Sequence, residues 1–145
     1  MRRALILLVC LIGALVAAAF LLGAVHVYHL TAASMEPTLH CARPGLLCRA
    51  NSADRLVTLR YVLIAPAKGD IVAFRAPVKA RSACRLPSGA VLIKRITKIV
   101  HGRYFLEGDN RQVSCDSRVW GTVPRSSLIG RVVGTYWPLS RISFR

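Results

Sequence analysis

The most apolar stretch of the chain lies at its N-terminal end. Residues Ala4–Val25 carry no charged or strongly polar side chain over 22 positions. A helix crosses the hydrocarbon core of a bilayer with about 20 apolar residues. The pattern therefore predicts a single N-terminal transmembrane helix. It divides the chain into residues 1–30, a basic head with its anchor, and residues 31–145, a single further domain.

The charges around this apolar run predict its orientation. Arg2 and Arg3 precede it, and the next basic residue is Arg43. Such an asymmetry keeps the N-terminus in the cytoplasm, so we expect a single-pass protein of the cell membrane with an extracytoplasmic domain. The alternative is a cleaved secretory signal, with Ala32-Ala33 as a compatible small-residue site. Apolar cores of secretory signals are shorter, about 7–15 residues, which favours an uncleaved anchor.

Beyond residue 30, short β-branched and aromatic segments alternate with turn residues, as is typical of strands. This pattern predicts a compact, mainly β domain, with an exposed basic loop at 76–89 and an irregular loop at 108–118. The predicted strands are 46–50, 61–64, 71–75, 90–100 and 104–107.

The charge balance of the chain favours anionic partners. It has 21 Lys and Arg against 6 Asp and Glu, a net charge of +15. The basic residues are not interleaved with aromatic residues, as a nucleic-acid stacking platform requires. We therefore predict no nucleic-acid partner, and the anionic headgroups of the membrane are the expected partner instead.

The five cysteines form no C-x2-C pair, so they do not predict a zinc site. Cys10 lies within the apolar run. The other four form an even set on the predicted outer side, where disulfides are allowed. Of the possible pairings we favour Cys41–Cys48 with Cys84–Cys115, and free thiols stay an open alternative.

Two histidines at the end of the apolar run raise the question of a metal site. His26 and His29, three residues apart, would share a face on a helix. With Tyr28 between them, amphipathic rings at the membrane interface are the more usual arrangement. We predict neither a metal nor a cofactor.

Ser34 and Lys94 are the candidate chemical groups. Ser34 follows the apolar run closely, and a serine becomes nucleophilic only when a base removes its proton. Strand alternation places Lys94 between Leu92 and Ile96 on one face, and leaves Arg95 pointing to solvent. Apolar burial lowers the pKa of a lysine, which makes Lys94 the candidate base. His40 and His101 are rival bases.

Four segments together resemble the type I signal peptidases, in that family's order. They are Ser34–Leu39, Gly69–Phe74, Ile93–Arg95 and Gly108–Arg118, and Leu128–Gly134 resembles a closing strand of the family. The resemblance implies a membrane-bound serine endopeptidase. It would remove N-terminal signal peptides from exported preproteins after small residues, with Ser34 as nucleophile and Lys94 as general base.

The resemblance also implies supporting roles in the last of these segments. Ser114 would hydrogen-bond the amine of Lys94 and orient it. Asp116 and Arg118 would form an ion pair that fixes the loop, and Gly108 would leave room near the lysine.

Other family positions are matched less completely. Met35, Ile71 and Val72 would belong to the substrate cleft. Many family members have a serine two positions before the nucleophile as an oxyanion donor, where this chain has Ala32. The family's Gly-x-Pro-Gly-Asp segment is replaced by residues 97–101, so a narrower substrate range is expected.

Three other functions compete with this prediction. A dedicated maturation peptidase of the same family would serve one or a few substrates. A basic, membrane-anchored binding or assembly protein would carry its Ser and Lys incidentally. An autoproteolytic repressor of related chemistry lacks support, because no helix-turn-helix precedes Ser34.

Overall fold

The computed structural model describes residues 2–42, 48–61 and 64–145. Its regular elements are α1 (Arg2–Leu21), β1 (Val25–His29), β2 (Arg55–Arg60), β3 (Ile71–Arg75), α2 (Val78–Ala83), β4 (Val91–Val100), β5 (Arg103–Glu107), α3 (Ser117–Trp120), β6 (Leu128–Trp137) and β7 (Ser143–Phe144). Short 3₁₀ helices occupy Ala33–Met35, Arg125–Ser127 and Leu139–Arg141.

The strands form one antiparallel sheet in the order β1-β2-β6-β3-β4-β5, and β7 pairs with β6. The prediction of a mainly β domain is therefore confirmed. The strands β4 and β5 are joined by a tight turn at His101 and Gly102, both of which have positive φ.

The sheet packs an apolar cluster on each face, because side chains alternate along each strand. Phe74, Ile96 and Leu106 are fully buried in the first cluster. Met35 and Leu39, from the segment after β1, fill the second cluster. Leu30 and Leu39, which precede and follow the 3₁₀ turn, both belong to this cluster, so the segment that carries Ser34 is anchored on both sides of the turn.

The apolar N-terminal run was predicted to form one helix as far as Val25, and this prediction is wrong for its last residues. The helix α1 ends at Leu21, and Gly23 follows with φ +64°. Glycine adopts this left-handed conformation readily, and it commonly ends helices. Val25–His29 then pairs with β2 as strand β1. His26 and His29 consequently do not share a helix face, and alternation directs them to opposite sides of the sheet.

The large apolar side chains of α1 are exposed. Leu5, Leu7 and Leu15, for example, expose 62%, 70% and 62% of their surface. Among the residues that the structure describes, no helix combines the length and hydropathy that crossing a membrane requires. The transmembrane anchor stays a prediction.

Two further sequence predictions need correction. The loop predicted at 76–89 contains the helix α2, which Pro77 precedes at the N-cap position and whose Ala80 is fully buried. Proline lacks a backbone N–H and is disfavoured inside a helix, but it is well tolerated at the start of one. The strand β2 was not predicted, because its Arg and Thr residues dilute the apolar signal.

The predictions for 46–50 and 61–64 are only partly covered by the structure. Residues 46, 47, 62 and 63 lie outside the described residues. Tyr61 lies in a turn and Ile64 in a bend, so the described ends of the second segment are not strand.

Both favoured disulfides are confirmed. Cys41 is bonded to Cys48, and Cys84 to Cys115, while Cys10 is a free, exposed cysteine. The second bond connects the end of α2 to the segment before α3 and so ties the basic segment to the loop at 108–118.

The two disulfides provide a test of this fold. Their sequence separations are 31 residues for Cys84–Cys115 and 7 for Cys41–Cys48. A longer closed loop restricts the unfolded chain more, so loss of the first bond should cost about 4 kcal/mol and loss of the second about 2 kcal/mol. We expect Cys84→Ser/Cys115→Ser to lower the free energy of unfolding more than Cys41→Ser/Cys48→Ser, as measured by denaturant titration in detergent. The reverse ranking would contradict the prediction.

Candidate active site

Ser34 lies in a 3₁₀ turn whose two other residues are buried. Ala33 and Met35 pack into the protein, while Ser34 itself stays partly accessible. Its carbonyl oxygen accepts a hydrogen bond from the backbone N–H of Asn110, at 3.0 Å. The turn is therefore held by the apolar packing of Ala33 and Met35 and by the hydrogen bond from the loop at 108–118.

Lys94 lies in the middle of β4, opposite Val72 on β3. Only 3% of its surface is exposed. Its Nζ lies 2.5 Å from the Oγ of Ser34, a hydrogen-bond distance across 60 residues of sequence. The sheet and the 3₁₀ turn thus bring together the two candidate groups. In the described residues neither His40 nor His101 takes this position, since His40 Nδ1 contacts Glu36 at 2.6 Å and His101 lies in the β4–β5 turn.

Burial lowers the pKa of Lys94 to about 8. Two carboxylates, Asp116 and Asp109, act in the opposite direction, and the Arg118 guanidinium lowers the pKa again. Removal of the ammonium from water is the dominant effect, because a buried charge loses its hydration. A lysine with such a pKa is a usable base near neutral pH, whereas an ordinary lysine is not.

Asp116 is the most buried charge of the supporting loop, with no exposed surface. The Arg118 guanidinium holds its two oxygens with Nε and Nη2, each at 2.8 Å, and the N–H of Gly108 donates to it at 3.1 Å. Burial alone would raise the pKa of Asp116, but these donors lower it to about 2. The carboxylate therefore stays charged and holds Gly108 in place behind Ser34.

Gly108 fits where no larger residue does. A Cβ on this residue would overlap the Ser34 carbonyl oxygen and the Ser114 side chain. Ser114 Oγ is buried there and makes no hydrogen bond to Lys94 within the described part of the chain. The structure thus packs Ser114 beside the site but does not form the bond to the lysine that the resemblance implied.

The predicted cleft residues do not share one surface. Met35 and Ile71 belong to the second apolar cluster, whereas Val72 is fully buried in the first, on the opposite face of the sheet. Ala32 has an extended backbone and begins the Ser34 turn without a side-chain hydrogen bond. Within the described residues, no cluster of three His, Cys, Asp or Glu is placed to hold a metal.

Two supporting interactions were missed from the sequence. Arg95, expected to point to solvent, forms a two-pronged ion pair with Asp109, at 2.8 and 2.6 Å. It ties β4 to the loop at 108–118, on the face opposite Lys94. No sequence signal links the two residues, because they are 14 positions apart and belong to different elements.

Glu36 is the second residue that was missed. It lies two positions after Ser34, and only 1% of its surface is exposed. It accepts hydrogen bonds from the N–H groups of Cys41 and Arg49, at 3.1 and 3.0 Å. Burial raises the pKa of Glu36, and these donors with His40 lower it overall. The carboxylate thereby joins the segment after Ser34 to the loop that the Cys41–Cys48 disulfide closes.

The sequence of this chain is similar to those of known peptidases. The family described as signal peptidase, peptidase S26, matches residues 2–99 and 97–137. The mitochondrial inner membrane protease subunit 1 of Xenopus tropicalis is 36% identical over 118 residues, which cover 73% of this chain and 65% of that protein.

Shorter similarities involve bacterial proteins. Signal peptidase I of Leptolyngbya laminosa is 44% identical over 45 residues, 31% of this chain and 22% of that protein. Signal peptidase IB of Staphylococcus aureus (strain MRSA252) is 39% identical over 46 residues, 32% of this chain and 24% of that protein. The matched part of this chain thus spans 65% or less of the length of these relatives.

The titration of Lys94 tests the electrostatics of this site. We expect its amine to lose its proton with a midpoint near pH 8. Asp116→Asn removes a charge that raises this pKa, so the midpoint should fall. Arg118→Gln removes a charge that lowers it, so the midpoint should rise. The chain has four lysines, Lys68, Lys79, Lys94 and Lys98, so ¹³C NMR of labelled lysines resolves them, and Lys94→Ala identifies the resonance. Shifts of the same sign in both variants would contradict this account.

Proposed function

This chain belongs to the signal peptidase family, peptidase S26, and we propose that it is a membrane-bound serine endopeptidase that removes N-terminal signal peptides from exported preproteins. The observation that carries the proposal is the 2.5 Å separation between Ser34 Oγ and Lys94 Nζ. It is supported by the burial that lowers the pKa of Lys94 to about 8.

Ser34 acts as the nucleophile and Lys94 as the general base. The neutral amine takes the hydroxyl proton as Oγ attacks the carbonyl carbon of the scissile peptide bond. The ammonium then protonates the leaving amine, and the C–N bond breaks to leave an ester on Ser34. A water molecule, deprotonated by Lys94, then attacks this ester. The C–Oγ bond breaks, Ser34 Oγ takes the proton back from the Lys94 ammonium, and the signal peptide leaves as a carboxylate.

The pKa of Lys94 decides whether this mechanism can operate. With a pKa of about 8, roughly a tenth of the amine is neutral at pH 7. An ordinary lysine, with a pKa near 10.4, would be neutral in about one molecule in 2,500. The burial of Lys94 therefore increases the reactive fraction by more than two orders of magnitude.

The supporting residues act through this pair. Asp116, held by Arg118, fixes Gly108 against the Ser34 carbonyl, and Ser114 packs beside them. These are positioning residues. The backbone N–H of Ser34 would stabilise the oxyanion, and Ala32 supplies no side-chain donor.

The substrate would lie against the second apolar cluster. Met35 and Ile71 are the residues there that we assign to the recognition of small side chains before the cut. Val72 pairs with Lys94 across β3 and β4, and it would support the lysine from within the first apolar cluster.

The enzyme would be anchored in the cell membrane by α1. Ten of its large apolar side chains are exposed, and Arg2 and Arg3 precede them, which favours a cytoplasmic N-terminus. The catalytic domain would then be extracytoplasmic, where disulfides such as Cys41–Cys48 and Cys84–Cys115 persist. Anionic lipid headgroups would be its partner there, since the chain carries a net charge of +15.

A narrower function is the second candidate. A direct turn at His101 and Gly102 joins β4 to β5, and no Gly-x-Pro-Gly-Asp segment follows Lys94. This geometry favours a dedicated maturation peptidase with one or a few substrates. Cleavage of a panel of preproteins separates the two, because a general enzyme cuts most members and a dedicated one cuts few.

Cleavage of a reporter preprotein by the full chain in detergent tests the assignment of Ser34 and Lys94. Ser34→Ala and Lys94→Ala should each lower kcat/KM by about a thousandfold or more, since both remove a group of one catalytic unit. Lys98→Ala, four residues along the same strand and exposed, is the matched control and should retain activity within about twofold.

Two results would contradict the assignment of Lys94 as the general base. Activity retained in Lys94→Ala would identify another base and return attention to His40. Equal losses in Lys94→Ala and Lys98→Ala would show that charge on β4, rather than the amine beside Ser34, is required.

The pH dependence of cleavage gives an independent test. Because only the neutral amine accepts a proton, kcat/KM should rise with pH through a midpoint of about 8 and then level off. Below the midpoint each unit of pH should change the rate about tenfold. A profile with its midpoint near 6.5 would indicate a histidine base instead.

A further inference from the structure

A cationic pocket lies where α1 ends and the sheet begins. Its volume is about 500 Å³, and it is lined by residues of five strands or of the segments at their ends. The residues that give it chemical character are His26, Tyr28, Arg60, Arg75 and Ser126. None of them belongs to the Ser34–Lys94 site.

The two arginines of this pocket have no carboxylate partner. All six acidic residues of the chain lie in the described part, and each has a partner outside the pocket, an arginine in five cases and His40 in one. The pairs are Glu36–His40, Asp54–Arg141, Asp70–Arg131, Glu107–Arg111, Asp109–Arg95 and Asp116–Arg118. Among the described residues, Arg60 and Arg75 form no ion pair, so the pocket carries two uncompensated charges.

The pocket lies directly beside the end of α1. The backbone N–H of Arg60 donates to the Ala24 carbonyl at 2.9 Å. The Arg60 guanidinium reaches to within 4.0 Å of the position where a Cβ of Gly23 would lie. A helix seated in the hydrocarbon core would therefore place this pocket at the level of the lipid headgroups, a layer roughly 5–7 Å thick on each side.

The polar groups of the pocket suit a phosphate. Guanidinium groups present planar forks that match phosphate oxygens, and hydroxyls donate further hydrogen bonds. Tyr28 and Ser126 supply hydroxyls. Burial raises the pKa of Tyr28, and the charge of Arg75, which lines the same pocket, opposes this effect.

We propose that this pocket binds the phosphate of an anionic phospholipid headgroup, with Arg60 and Arg75 as its cationic ligands. The inference rests on the membrane placement of α1 in the proposed function, and it adds a specific lipid site to it. Bound lipid would hold the sheet at a fixed height against the bilayer, with Ser34 only five residues beyond β1.

Lipid binding by the full chain in detergent tests the site. Native mass spectrometry would measure the binding of phosphatidylglycerol to the wild type, Arg60→Gln/Arg75→Gln and Lys79→Gln/Lys98→Gln. The last variant is the matched control, because it removes two exposed charges outside the pocket. We expect one saturable site whose affinity falls about tenfold or more in the arginine variant and little in the control. Arg60→Lys/Arg75→Lys should restore part of it.

Four outcomes would overturn the proposal. Equal losses in the two Gln variants would mean that net charge, and not the pocket, attracts the lipid. Displacement of the lipid by millimolar inorganic phosphate would identify a free anion as the ligand. Flotation of the chain with neutral phosphatidylcholine vesicles tests the membrane placement separately. If the wild type fails to float, both the membrane anchor and the lipid site are ruled out. If the wild type floats but the arginine variant binds lipid as well as the wild type does, only the lipid site is ruled out.

Discussion

Burial of the Lys94 amine beside the Ser34 hydroxyl is the constraint on which the rest of the structure depends. A lysine taken out of water disfavours its own charge, and the sheet must hold it there against its tendency to reach solvent. Its position in the middle of β4, between β3 and β5, provides that rigidity. The same burial lowers the pKa of the amine to about 8, which is what its proposed role as a base requires. Stability is therefore given up at the position where reactivity is required.

Three of the six acidic residues hold the segments around this site. Asp116 fixes the loop behind Ser34, Asp109 fastens the same loop to β4 through Arg95, and Glu36 fastens the segment after Ser34. Each is largely buried and hydrogen-bonded, so each is held charged by donors aimed at it. Because the chain has 21 Lys and Arg against 6 Asp and Glu, most of its cations cannot have an acidic partner, which leaves positive potential on the surface.

The proximity of Ser34 and Lys94 was easier to predict from the sequence than the architecture around them. Ser34 and Lys94 stand in short motifs whose order indicates a common site, and the 3.3 Å rise of a strand with alternating faces places Lys94 inward. The favoured pairing of four cysteines was also correct. By contrast, β2 and α2 carry mixed polar sequences that their tertiary neighbours stabilise, and no local signal precedes them. The end of α1 at Leu21 depended on the φ of Gly23, and the Arg95–Asp109 pair depended on a contact between distant elements.

The carboxylate of Glu36 connects the segment after Ser34 with the loop that the Cys41–Cys48 bond closes. It receives the N–H groups of Cys41 and Arg49, the residues at and just beyond the two ends of the loop closed by the Cys41–Cys48 bond. Formation of that bond and ordering of the segment after Ser34 are therefore thermodynamically linked. By reciprocity, whatever orders the Ser34 turn, including a bound substrate, makes the bond harder to reduce by the same free energy. Occupancy of the site and the redox state of the loop thus report on one another.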